Sequence, residues 1–237
     1  NTTASSNVAV GYNSLGLNTT GAGLVGIGKD ALAANTTGNH NTAVGVDALT
    51  ANTTANDNTA VGQNALLSTT TGSNNTGIGS HALDANTTGA NNTAVGKDAA
   101  KANTTGNRNI AIGEFTFAVN TTGSDNTAVG TGALQANTTA DNNTAIGRVA
   151  LSANTTGTSS TGVGTYSLDE NTTGGSNTAL GVNALTSNTT ADNNTAVGKS
   201  ALEANTTGSS NSSLGTFSLQ SSTTGNSNSA FGRSALQ

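Results

Sequence analysis

The sequence predicts an all-β protein, a parallel β-solenoid (β-roll) in which each of about fourteen coils is one 17-residue repeat. Three observations support this prediction. The 237 residues align with themselves when cut every seventeen residues (237 = 14 × 17 − 1), glycine and two threonines recur at fixed positions of every repeat, and every charged residue lies at positions that vary. A repeat this short cannot bury an apolar face alone, so neighbouring repeats are expected to stack.

The repeat is defined here on residues 35–51, NTTGNHNTAVGVDALTA, with positions numbered one to seventeen. We find no linker or shift in composition. We therefore expect a single solenoid over residues 1–237, made of fourteen repeats of which the last lacks one residue, without separate caps.

Positions seven to eleven read Asn-Thr-Ala-Val-Gly and predict a short strand that ends at a corner. Position ten is apolar in every repeat, so we predict that its row, which includes Val44 and Val129, lies in the core. Position eleven is always glycine and is predicted to form the corner, as at Gly45 and Gly130. The asparagines at position seven, such as Asn41, are expected to form a hydrogen-bonded ladder.

The Ala-Leu-x-Ala segment predicts a second extended run, with position fifteen facing inward and positions fourteen and sixteen facing outward. Position fifteen is leucine in every repeat except two, and Leu49 and Leu134 are therefore predicted core residues. The following Asn-Thr-Thr-Gly predicts a further extended piece that closes on a turn at positions four to six.

Helical and disordered alternatives fit the pattern less well. Paired threonines, a fixed mid-repeat glycine and apolar positions five residues apart oppose a helical solenoid. Sparse aromatic residues and charges are also seen in disordered chains, but disorder gives no reason to keep Val or Ile at one position and Leu at another.

Composition excludes several function classes. The chain has no cysteine or methionine, so no disulfide or thiolate metal site is available. A net charge of −5 offers no basic patch for nucleic acid, and no apolar run is long enough to insert into a membrane.

Enzymatic chemistry is not expected either. The two histidines, His40 and His81, share no recurring acid or nucleophile. Asp30, Asp47 and Asp98 share position thirteen, but most repeats lack an acid there, which argues against a calcium-binding roll. We therefore predict no catalytic residues, no cofactor and no metal.

Two surface functions remain as alternatives. Regular outward rows, with Asn at position one and Thr at position three, suggest an ice-binding solenoid. Asn-Thr-Thr also spells the acceptor motif for N-linked glycans, although a simple asparagine ladder explains the same pattern, and the threonines are O-glycan candidates. The candidate acceptors are Asn1, Asn18, Asn35, Asn52, Asn86, Asn103, Asn120, Asn137, Asn154, Asn171, Asn188 and Asn205.

The unit N-T-A-V-G-x-x-A-L, at residues 41–49 and 194–202 and nearly so at 92–100 and 143–151, resembles the N-S-x-A-[IV]-G-x-x-[SA] repeats of YadA-type heads in trimeric autotransporter adhesins. Similar runs occur in phage tail-fibre shafts. The resemblance implies a left-handed parallel β-roll, side-by-side association of three chains and a surface that binds host or matrix molecules. The unit here is longer because of the added Asn-Thr-Thr-Gly segment.

These observations together predict a non-enzymatic structural protein, extracellular or at the cell surface. The expected partner is a further copy of the chain, stacked head to tail or side by side in a filament, and a surface or carbohydrate ligand is a second candidate. The alternatives are an ice-binding or glycan-bearing solenoid, or a fragment of a larger bacterial adhesin or phage tail fibre.

Overall fold

The computed structural model describes residues 4–237 and shows the all-β fold that the sequence predicts. Within these residues there is no helix, and each repeat contributes one three-residue strand. The chain divides into two compact units, Asn1–Thr122 and Gly123–Gln237.

The strands of each unit are parallel and follow one another in chain order. Equivalent positions pair in register, for example Thr42 with Thr59 and Val44 with Val61, so one repeat makes one coil as predicted. The first unit contains β1 (Val8–Val10), β2 (Val25–Ile27), β3 (Thr42–Val44), β4 (Thr59–Val61), β5 (Thr76–Ile78), β6 (Thr93–Val95) and β7 (Ile110–Ile112). The second contains β8 (Thr127–Val129), β9 (Thr144–Ile146), β10 (Thr161–Val163), β11 (Thr178–Leu180), β12 (Thr195–Val197), β13 (Ser212–Leu214) and β14 (Ser229–Phe231).

The strands turn position nine inward and positions eight and ten outward. In β3, Ala43 is fully buried, whereas Thr42 and Val44 are half-buried. The prediction that Val44 and Val129 lie in the core is therefore wrong, since both occupy the outer side of their strands. Side chains alternate along a strand, and the inner side has room only for the Ala, Gly or Ser at position nine.

The corner predicted at position eleven is confirmed. Gly45 has φ +142° and Gly130 has φ +125°, values that only glycine adopts without strain. A Cβ on Gly45 would lie 2.4 Å from the carbonyl oxygen of Gly62 in the next coil. Glycine is therefore required here both by the backbone conformation and by the close approach of the next coil.

The Ala-Leu segment is a turn rather than an extended run. Leu49 has φ +50° and its backbone N–H donates to the carbonyl of Ala65 at 3.0 Å. Ala48 and Leu49 are both fully buried, so the prediction that position fourteen faces outward is wrong. A left-handed conformation costs a leucine about 1–2 kcal/mol, which burial of its side chain, worth about 1.5–3 kcal/mol, can offset.

The core of each coil is formed by this leucine together with small alanines and buried asparagines. Leu49 and Leu134 are completely buried, which confirms their predicted place. In the first unit Ala100 precedes the fully buried Phe117 in the same row, so the smallest side chain of the row stands beside the largest. Volume is thereby conserved across two coils.

Candidate interaction surfaces

The asparagines at position one form a buried ladder between coils. Asn35 is fully buried, and its Nδ2 donates to Asn18 Oδ1 at 2.9 Å and to the carbonyl of Gly38 at 3.1 Å. The second bond ties the ladder to the turn at position four. The amide therefore makes one hydrogen bond to a neighbouring coil and one to the turn of its own coil.

Burial overturns the prediction that these asparagines carry N-linked glycans. The nitrogen that would bear the sugar lies inside the roll and donates hydrogen bonds, so the folded coil leaves it inaccessible. Asn1 lies outside the described residues. The correction applies to the buried Asn18, Asn35, Asn52, Asn86, Asn103, Asn120, Asn137, Asn154, Asn171, Asn188 and Asn205.

A second ladder runs along position seven, as predicted for Asn41 and its row. Asn41 Oδ1 accepts a hydrogen bond from the backbone N–H of Asn58 at 2.9 Å, and Asn41 Nδ2 donates to the carbonyl of Ala55 at 2.7 Å. Asparagine bridges two coils at once, which explains why this residue type recurs here.

The sheet face comprises the outward rows at positions eight and ten. Position ten carries apolar side chains that are substantially exposed, including Ile78 (39%) and Ile146 (40%). No charged residue occurs at positions seven to eleven of any repeat. The sheet face is therefore an uncharged surface of mainly threonine side chains at position eight and mainly β-branched apolar side chains at position ten.

The threonine ridge comprises the threonines at position three, which are exposed in every repeat from Thr20 to Thr224. Its neighbours at position two donate a side-chain hydrogen bond to the next coil, as Thr36 Oγ1 does to the carbonyl of Thr53 at 3.0 Å. The ice-binding array predicted from Asn at position one and Thr at position three is wrong in its asparagine half, because those asparagines are buried.

Charged side chains pair with one another at the variable positions. Lys29 lies 3.2 Å from Asp30, and hydrogen bonds from Asn13 and Lys29 lower the pKa of the Asp30 carboxyl. Burial opposes ionisation of Asp98, but hydrogen bonds from Lys101 and Lys97 outweigh it and lower the pKa of this carboxyl. These acids thus have lysine partners in the protein.

The described residues hold no group of three or more His, Asp or Glu side chains placed to share a metal ion. Over residues 4–237 the surface has no pocket. Nor does this part of the chain contain a helix that could cross a bilayer. No protein-family model and no curated protein matches the sequence.

Proposed function

We propose that the protein is a non-enzymatic structural component of the cell exterior, whose solenoid coils associate side by side with further copies through the sheet face. One observation carries this proposal. The apolar row at position ten faces outward, although the sequence pattern predicted it in the core, and it recurs in every coil. Exposed apolar surface that is continuous over many residues marks a site of protein association.

A second copy is the partner that fits this surface. The rows of the sheet face repeat at the strand spacing of about 4.8 Å, and only a partner with the same spacing stays in register over many coils. Another copy of the chain has that spacing because its coils are the same. The absence of charge at positions seven to eleven means that two identical faces meet without repulsion.

The energy of such contact accumulates along the row. Covering a half-exposed Val or Ile is worth roughly 1 kcal/mol, so several coils acting together can offset the entropy lost on association. Sheets pack face to face with interleaved side chains, and alternating threonine and β-branched rows offer a pleated surface for this. The resemblance to YadA-type head repeats supports the same arrangement, and the extracellular location and an adhesive role rest on that resemblance.

Sedimentation velocity over a range of concentrations tests the proposal. We expect the intact chain to associate, and we expect Ile78→Lys with Ile146→Lys to remain monomeric, because each buries a charge against an apolar face. Gln63→Lys with Thr131→Lys are matched controls, since both lie at exposed position twelve where other repeats already carry lysine. The controls should associate as the wild type does.

Two results would overturn side-by-side association: a wild-type chain that is monomeric at every concentration, or association that survives the sheet-face substitutions. Survival of association would favour head-to-tail stacking of coils instead. Thermal melts by circular dichroism establish that each variant is folded before its association is compared.

A further inference from the structure

The threonine ridge is invariant although it is exposed. Position three is threonine in all fourteen repeats, whereas positions six and twelve, which are exposed in most repeats, vary widely. Residues that the fold does not constrain normally vary between repeats of one chain. The invariance of this row therefore needs a reason.

The fold supplies such a reason for the other invariant positions but not for this one. The glycine at position eleven is fixed by its positive φ, and the threonine at position two by its hydrogen bond to the next coil. By contrast, the hydroxyls of Thr37, Thr88 and Thr156 make no hydrogen bond within residues 4–237. These three hydroxyls are therefore free to bind something outside the chain.

The preference for threonine over serine at position three indicates which chemical groups a ligand of the ridge recognises. Serine occurs at the exposed position six, as at Ser176 and Ser210, but never at position three. The two residues share a hydroxyl, and threonine adds a methyl group and a stiffer χ1 torsion. The ridge therefore conserves a paired hydroxyl and methyl in a fixed direction.

The backbone beneath the ridge fixes its spacing. The carbonyl of Thr53 accepts three hydrogen bonds from the preceding coil, from Thr36 N at 2.9 Å, Thr37 N at 3.2 Å and Thr36 Oγ1 at 3.0 Å. The carbonyl of Thr172 accepts the equivalent three in the second unit. Each unit thus holds its threonines in a rigid row at about the 4.8 Å strand spacing.

We propose that the threonine ridge binds ice. A repeating solid is the ligand that rewards an unbroken, evenly spaced row, because one missing or shifted member interrupts the match. Hydroxyls hydrogen-bond to lattice water, and methyl groups order the water between them, at little entropic cost on a rigid backbone. Positions one to four carry no charge that would hold a competing hydration shell.

The sheet face is less suited to this role. Its position eight carries Val25, Ile110 or Ser212 in place of threonine in some repeats, and its position ten ends in the bulky Phe231. Such irregularity is tolerated by a protein partner but not by a crystal plane. The two surfaces are therefore assigned different ligands, and the ice proposal is independent of the association proposed above.

Thermal hysteresis and inhibition of ice recrystallisation, measured on the intact chain, test the proposal. We expect both activities in the wild type and a loss of most of both in Thr88→Tyr with Thr105→Tyr, which place bulky rings in mid-ridge. Thr76→Tyr with Thr93→Tyr, the same change at position eight of two neighbouring coils on the sheet face, should retain them. Thr88→Ser with Thr105→Ser removes only methyl groups and should weaken both activities.

Absence of both activities in the wild type would overturn the proposal. So would full activity in the ridge variants, or loss confined to the sheet-face variants. Circular dichroism melts show whether each variant is folded, and unchanged sedimentation of the ridge variants separates this result from the test of side-by-side association.

Discussion

Asn52 Nδ2 donates a 2.7 Å hydrogen bond to Asn35 Oδ1, seventeen residues earlier and one coil below. The ladder breaks at the next coil, where Thr69 replaces asparagine. In the described part of the chain, Asn52 Oδ1 is then buried without a partner, and Asn205 Oδ1 is left in the same state before Ser222. Both of these asparagine oxygens lie directly before a substitution in the ladder.

Thr69→Asn should stabilise the protein, because the new amide can donate to the orphaned oxygen of Asn52. A buried acceptor that gains a donor contributes about 1 kcal/mol. Urea denaturation followed by circular dichroism measures the change in the free energy of unfolding. Asn103→Thr, which creates a new break, is the control and should lower stability by a similar amount, while destabilisation by Thr69→Asn would contradict the ladder energetics.

Leu134→Ala should cost about 2–5 kcal/mol, since it opens a cavity in a thin core. Val129→Ala in the same coil should cost less than about 1 kcal/mol in an isolated chain, because this valine is half-buried on the outer side of its strand. Urea midpoints of the two variants provide the comparison. Equal losses would place Val129 back in the core.

Leu134→Asp should open its coil locally, because it puts an unpaired charge in the core. Limited proteolysis should cut this variant near residue 134 much faster than the wild type. Val129→Asp is its matched control, and it should stay resistant. Unchanged resistance of Leu134→Asp would contradict the inward position of the leucine row.

Gly45→Ala should destabilise strongly. A positive φ alone costs a non-glycine residue roughly 1–3 kcal/mol, and the added Cβ would also meet the Gly62 oxygen. Gly175→Ala is the control, because Ala22 and Ala90 occupy the same position five in other coils. Thermal unfolding should show a large drop in Tm for the first variant and little change for the second.

The contribution of Asp98 to stability should depend on pH in a defined direction. Its pKa is lowered in the folded state, so as pH falls below the ordinary aspartate value of 3.8 the unfolded chain takes up the proton first. The stabilisation by Lys97 and Lys101 is therefore present at neutral pH and lost as pH falls through the folded pKa. Wild type and Asp98→Asn should differ in Tm at pH 7, and the difference should shrink as the pH falls through the folded pKa of Asp98; a constant difference would contradict the pairing.

Much of the fold could be predicted because the fourteen repeats of the chain can be aligned with one another. The 17-residue coil, the parallel register, the corner at Gly45 and the buried Leu49 all follow from positions that never or rarely change. The outward place of Val44 was missed because a constant apolar position was equated with the core. The signal that points to the true direction is the neighbour, Ala43, since position nine admits only Ala, Gly or Ser.

The positive φ angles at position six could have been predicted from the sequence, whereas those at position fifteen could not. Position six holds mainly Asn, Asp, Ser, His or Gly, which tolerate positive φ, and His40 and Asp57 adopt it at 55° and 58°. Leucine carries no such signal, and Leu49 adopts φ +50° only because burial and contacts with the next coil stabilise it. The failure of the glycan prediction has the same origin, since a motif in a local sequence does not reveal burial.

Within each unit, the hydrogen bonds accepted by the position-two carbonyls and the two asparagine ladders tie neighbouring coils together at several fixed places. Deleting a single residue would put at least one of these links out of step, whereas removing or duplicating seventeen residues would leave all of them intact. The length of such a protein can therefore evolve only in whole coils. Genetic change by unequal recombination between repeats is the mutation that this architecture accepts most readily.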